Sequence, residues 1–359
     1  FGSDGWVSRA SRGAWACARM AMRRPAAWMP ALTPPRVELF FKDDDALVGR
    51  VRELGACGVR AFNLVNKRKE DTLVQWVQAV VAQCPGAQVC VHYSLKNNTA
   101  GARTGGREAS FSLFERFMSK ISAVPGCIEV LLVSGSGSKR PLDSVACLEL
   151  WAQSQAALPP SKRCAVPLGV VFNPYFPSEV DRAKERGRLL QKLNSGTISS
   201  VWLQFGADTH LLETACEWLK ESGYRAPGGQ PLRVIGSMFL PTLRLIAQQR
   251  FRPWNGVFLS EAYLSSPEDA AAITRDILAV YRRFGVDVLA EAPGVYGPRD
   301  LKLLTDLMGG PASAPTPLPG AEIDCDTRSD GLEAAAIGSR PLVCKRPAAK
   351  RWRPLSAKI

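Results

Sequence analysis

Short apolar runs alternate along the chain with stretches in which apolar residues recur every three or four positions. The runs are VELFF (37–41), VRAFNLV (59–65), QVCVHY (88–93), CIEVLLV (127–133), AVPLGVVF (165–172), SVWLQF (200–205), LRVIGSMF (232–239) and VDVLA (286–290). Each is rich in Val, Leu, Ile or Phe and short, which is the pattern of a strand buried on both faces in a parallel sheet. The stretches between them have helical spacing. Leu189, Leu190 and Leu193 form an apolar stripe preceded by Asp181, Lys184 and Glu185. In SPEDAAAITRDILAVYRRFG, Ser266 is placed to cap, Pro267 to open the first turn, Glu268 and Asp269 to face the helix dipole, and Gly285 to end the helix.

Eight strand–helix units predict right-handed βαβ connections and a closed (β/α)8 barrel, a TIM barrel. An open doubly wound sheet is the rival, but no G-x-G-x-x-G follows the first strand. GVFLS (256–260) reads as a possible ninth strand. In a barrel, chemistry gathers at the C-terminal ends of the strands. That rule selects Glu38 to Lys42, Asn66, His92 to Asn97, Ser134 to Ser138, Asn173 to Tyr175, Gln204, Met238 and Glu291.

Composition divides the chain into three parts: 1–35, 36–309 and 310–359. Residues 1–35 carry five arginines against one aspartate, the signature of an organellar transit segment for a chloroplast or mitochondrion; a disordered or mistranslated extension, with the protein in the cytoplasm, is the alternative. Residues 310–359 are rich in Pro, Ala and Ser and predict a disordered basic tail. The tail's Lys345, Arg346, Lys350, Arg351 and Arg353 form a nuclear-import or anion-binding patch on one reading and a solvated tail on the other. More than half of the net charge of +13 falls on these two ends, and the middle holds no basic–aromatic stripe, which argues against a nucleic-acid surface there. No apolar run is long enough to span a membrane. Ten scattered cysteines without C-x-x-C spacing, and only two histidines, argue for free thiols in a reducing compartment and against a zinc site.

Several strand ends resemble the methylenetetrahydrofolate reductase family. RVELFFKDD resembles its E-F-F-P-P motif, with Glu38 on the glutamate. CVHYSLKNN resembles its H-L-T strand end, with His92 and Ser94 on the histidine and threonine. LGVVFNPYFPSEVDRAKERGRLLQKLNSG resembles its strand-five stretch and puts Glu185, Arg188 and Lys192 where the family contacts its flavin nucleotide. VWLQFGAD resembles T-Q-F-F-F-D, with Gln204 on the glutamine that reads the pterin, and VIGSMFLP resembles the P-G-I-M-P turn, with Met238 on the methionine.

The resemblance covers 36–309. It implies an FAD-dependent oxidoreductase that uses NAD(P)H to reduce 5,10-methylenetetrahydrofolate to 5-methyltetrahydrofolate, and it allows a homo-oligomer. It implies Glu38 as the acid that protonates the folate nitrogen, and His92, Ser94, Gly135, Ser136, Glu185, Arg188 and Lys192 as flavin contacts. Asn173, Gln204 and Met238 fall on the folate side. The chain departs from the family at several points. The prolines after Glu38 are absent, Ser134-Gly135-Ser136 stands for R-G-D, Asn173 replaces a tyrosine, and Val65 or Asn66 stands at a threonine. These departures raise the alternative of a non-catalytic ligand-binding barrel that has lost its flavin. A third reading is a nucleic-acid-associated protein acting through its basic tails. Read on their own, SGSGSKR (134–140) forms either a phosphate-binding nest with Lys139 and Arg140 or a plain turn, and Lys192 with Arg188 forms either an anion site or a solvated helix face.

Overall fold

In the computed structural model, the described residues are 35–66, 70–100, 106–135, 141–291 and 294–309. The N-terminal segment, the basic tail, Ser136, Lys139 and Arg140 lie outside them. Eight strands form a closed barrel in sequence order: β1 Arg36–Leu39, β2 Ala61–Val65, β3 Gln88–Ser94, β4 Cys127–Val133, β5 Leu168–Phe172, β6 Ile198–Leu203, β7 Arg233–Met238 and β8 Asp287–Ala290. All eight neighbouring pairs are parallel, and β8 closes on β1 through Arg36↔Leu289 and Val37↔Ala290. GVFLS is not a ninth strand: its Phe258 makes a single isolated bridge to Gly206.

Ten helices occur among the described residues: α1 Asp44–Ala56, α2 Glu70–Gln83, α3 Gly106–Ser122, α4 Ser144–Ala156, α5 Glu179–Leu193, α6 Thr209–Glu221, α7 Leu243–Phe251, α8 Glu261–Ser265, α9 Pro267–Phe284 and α10 Pro298–Gly309. The long α9 has the ends its sequence predicts. Ser266 caps the Asp269 N–H at 3.0 Å, Pro267 opens the first turn, and Gly285 takes a left-handed φ of 67°. In α5, Leu189 and Leu193 are buried but Leu190 is 42% exposed, because only positions spaced by four share the inner face.

Alternation along the strands sorts side chains into two compartments. Outward-facing residues such as Val89, Val91, Val170, Leu203 and Met238 join the helices in the large shell of the core. Inward-facing Cys90, Leu131, Trp202, Ile235 and Leu289 form a separate cluster inside the barrel. Two residues earlier along the strands the interior turns polar. There Ser200 donates to Glu129, the Trp202 indole donates to Ser200 at 2.8 Å, and Arg233 lies 3.7 Å from Glu129 and 3.3 Å from Asp287. Gly169 makes room for this network, since a Cβ there would stand 2.5 Å from Ser200 Oγ and 2.6 Å from Trp202 Nε1. The closed N-terminal end is thus a plug of paired charges, and the open space lies two residues beyond the apolar tier, at the strands' C-terminal ends.

Candidate functional site

The C-terminal mouth of the barrel holds a cavity of about 490 Å³. Its wall collects Glu38, His92, Asn173, Trp202, Gln204, Ser237 and Glu291 from the strands and strand ends, Gly135 from the turn after β4, and Glu185, Arg188 and Lys192 from α5.

His92 is fixed by a chain of hydrogen bonds that starts in the plug. Arg36 is buried and can only donate; its Nε gives a hydrogen to Asn63 Oδ1 at 2.9 Å. The Asn63 amide is thereby oriented, and its Nδ2 meets His92 Nε2 at 2.8 Å. An amide NH2 has only hydrogens to offer, so His92 Nε2 must be the acceptor and the ring proton must sit on Nδ1. Nδ1 faces Glu38 Oε2 at 3.9 Å. Burial, reinforced by the Arg36 charge, holds the His92 pKa down to about 3. The contact with Glu38 is therefore a neutral N–H dipole aimed at a carboxyl group across a gap too wide for a direct hydrogen bond, and not an ion pair.

On the opposite wall, Lys192 is only 6% exposed and donates one hydrogen to the Val171 carbonyl at 3.0 Å. Burial lowers its pKa, with Glu185 pulling up and Arg188 pulling down. Arg188 is exposed at the rim, and Glu185 accepts from the Asn173 N–H at 3.4 Å. Glu185, Arg188 and Lys192 share one face of α5 through spacings of three and four. The Gln204 side chain makes no hydrogen bond with the protein among the described residues, although it lines the cavity.

Three expected ligand contacts have other surroundings. Met238 is fully buried in the helix-facing shell, since it follows the inward-facing Ser237 by one residue; Ser237 lines the cavity in its place. The Asn173 amide is committed to the backbone, accepting from Tyr175 N at 3.1 Å and donating to Gly256 O at 2.9 Å, so it shapes the β5 loop. Ser94 is not part of the cavity wall: its N–H is held by Asn66 Oδ1 at 3.1 Å, and its hydroxyl lies beneath Gly135.

Glu291 is the strongest acid candidate in the cavity. Burial lifts its pKa from 4.5 to about 7, while a hydrogen bond from Ser237 pulls it back. Its place just past a barrel strand marked it in the sequence, but nothing there distinguished it from an ordinary loop glutamate. Asn63 carried a clearer signal: a polar residue inside the apolar run AFNLV needs a buried partner.

No family model matches the chain, and no curated protein matches it. Solved structures similar to it include an enolase from Pseudomonas fluorescens with bound magnesium, potassium and tartrate, at TM-score 0.36 and 11% identity, covering 64% of this chain and 49% of that one. Orotidine 5'-monophosphate decarboxylase from Methanocaldococcus jannaschii is similar at TM-score 0.37 and 12% identity, covering 67% and 96%. The 3,6-anhydro-D-galactonate cycloisomerase from Zobellia galactanivorans is similar at TM-score 0.40 and 7% identity, covering 74% and 55%. The chain thus spans about half the length of the enolase and of the cycloisomerase.

Proposed function

We propose that the barrel mouth is the active site of a flavin-linked oxidoreductase of the methylenetetrahydrofolate reductase type, with NAD(P)H as electron donor and a one-carbon folate as substrate. The observation that carries the reading is the convergence of Glu38, His92, Gln204, Glu185, Arg188 and Lys192 on one cavity. These residues come from separate parts of the sequence: Glu38, His92 and Gln204 from strand ends, and Glu185, Arg188 and Lys192 from α5, which the resemblance alone singled out.

The donor set fits an anionic heteroaromatic ligand such as FAD. Lys192 is a buried ammonium with one protein acceptor, leaving two N–H groups for an anion. Arg188, one turn away, extends that positive wall to the rim. Gln204 has both a donor and an acceptor to offer a pterin edge. When bound, a reduced flavin supplies hydride. The chain's own work is to orient and to move protons. The neutral His92 holds its Nδ1–H toward Glu38, and Glu38 is the group that would deliver a proton to the folate nitrogen as the ring opens.

The test uses the full chain with FAD under anaerobic conditions. Bleaching of the flavin by NAD(P)H, followed by recovery of its absorbance on adding methylenetetrahydrofolate, is expected. A second reading, a ligand-binding barrel without flavin chemistry, is favoured by Ser136 standing where the family has aspartate. A chain that takes up folate but leaves FAD free and unreduced would select that reading.

A further inference from the structure

We propose that Glu38 and Glu291 form a carboxyl pair at the barrel mouth that holds one shared proton, resident on Glu291. Their juxtaposition follows from the register. Arg36 pairs with Leu289 and Val37 with Ala290, so the next step along the two parallel strands sets Glu38 beside Glu291. The Glu291 N–H continues the ladder on its other side, donating to the Met238 carbonyl at 2.8 Å. Neighbouring strands stand about 4.8 Å apart, and both side chains face the same cavity. Two carboxylates so placed repel each other, and ionising one disfavours ionising its neighbour.

The surroundings assign the proton. Glu38 faces the His92 Nδ1–H, a donor that favours a charged carboxylate. Glu291 faces the Ser237 hydroxyl, and burial is what dominates it, lifting its pKa to about 7. The titratable and charged groups around it are Glu38 on β1, His92 on β3, Glu185, Arg188 and Lys192 across the cavity on α5, and Tyr281 on α9 behind it. Arg36, Glu129, Arg233 and Asp287 lie deeper, in the plug. Arg188 and Lys192 belong to α5 across the cavity, with Lys192 bonded to the Val171 carbonyl, and no ion pair to Glu291 occurs among the described residues.

Such a pair is a proton reservoir. The Glu291 O–H bond breaks as its proton passes to the Glu38 carboxylate and from there to the ligand atom that gains electron density, so Glu38 remains the delivering group and Glu291 is left as a carboxylate until solvent returns a proton. That use rests on the oxidoreductase reading; the sharing itself does not.

The carboxyl C=O band of the full chain is therefore titrated by infrared difference spectroscopy without flavin or folate. A protonated carboxyl is expected to disappear with a midpoint near 7. Glu129 is a second carboxyl raised by burial, so variants decide the owner. Glu291→Gln should remove the band. Glu38→Gln should keep it but move its midpoint down by more than about half a pH unit, because the neighbouring negative charge is gone. The pair is overturned if the wild type shows no carboxyl titrating above about pH 5.5, if Glu291→Gln retains the band, or if Glu38→Gln leaves the midpoint in place. Should Glu291→Gln fail to fold, the Glu38→Gln midpoint decides alone. Flavin uptake with none of these changes would sink the pair and leave the oxidoreductase reading standing. The reverse pattern would sink that reading alone.

Discussion

Asn63 donates its amide N–H to His92 Nε2 at 2.8 Å, and this single bond puts the imidazole proton on Nδ1, facing Glu38. The arrangement carries a message from the charged plug at the closed end of the barrel to the cavity at its open end, through Arg36, Asn63 and His92 in turn. Nitrogen NMR of the imidazole reads it directly. His92 should be a neutral Nδ1–H tautomer from pH 5 to 8, with its midpoint near 3. Asn63→Asp replaces the donor with an acceptor and an opposite charge, so the midpoint should rise by about 1–3 units and the proton should move to Nε2. His210→Gln assigns the signals. An unchanged tautomer in Asn63→Asp would mean that Asn63 does not set the His92 proton.

The two shifted groups of the cavity act on stability in opposite directions. His92 is depressed from 6.5 to about 3, so the unfolded chain binds more protons in that window and the fold weakens as pH falls through it. Glu291 is raised from 4.5 to about 7, so the folded chain binds more protons and the fold weakens as pH rises through that window. Between pH 4.5 and 6.5 the two slopes, each at most about 1.4 kcal/mol per pH unit, largely cancel. Chemical denaturation of Glu291→Gln across this range should unmask the His92 slope, with stability falling toward acid relative to wild type. Parallel pH profiles for the two proteins would count against the Glu291 assignment, and a Glu291→Gln profile flat across this range would count against that of His92.

Gly169 is a packing position inside the barrel. Alanine there would put a Cβ 2.5 Å from Ser200 Oγ and 2.6 Å from Trp202 Nε1, within a network that also holds Glu129. Gly169→Ala should lower unfolding free energy by about 1–3 kcal/mol, measured by urea denaturation. A loss well under that range would mean the strand shifts at little cost.

The fold was largely legible because a buried parallel strand and an amphipathic helix leave different periods in the sequence. All eight apolar runs became barrel strands, with ends displaced by a few residues, as at β5, where the AVP of AVPLGVVF (165–167) precedes the ladder. What the period could not supply was parity at the strand ends. Met238 and Ser237 are adjacent, yet one faces the helices and the other the cavity, and a one-residue misplacement exchanges them. Nor did the sequence reveal commitments of polar groups made across the fold. Asn173 reads as a ligand contact until its amide is seen bonded to Gly256, 83 positions away. Glu291 became a candidate acid only when the fold buried it in the cavity wall against Ser237.

Lys192 separates a ligand site from a structural lysine. Replacing it with methionine removes a buried charge that has one backbone acceptor, so folding stability should hold or rise. Affinity for FAD should fall by about 10- to 100-fold, the worth of a charge-assisted hydrogen bond. Stability loss without any change in affinity would make Lys192 a strut for β5.

The most direct measurement is a visible-absorbance titration of the full chain with FAD. Saturable uptake with a perturbed flavin band is expected, blocked when Gln204→Trp fills the cavity and weakened in Lys192→Met. A spectrum that stays that of free FAD at every protein concentration, or uptake indifferent to both substitutions, would contradict the flavin-linked reading.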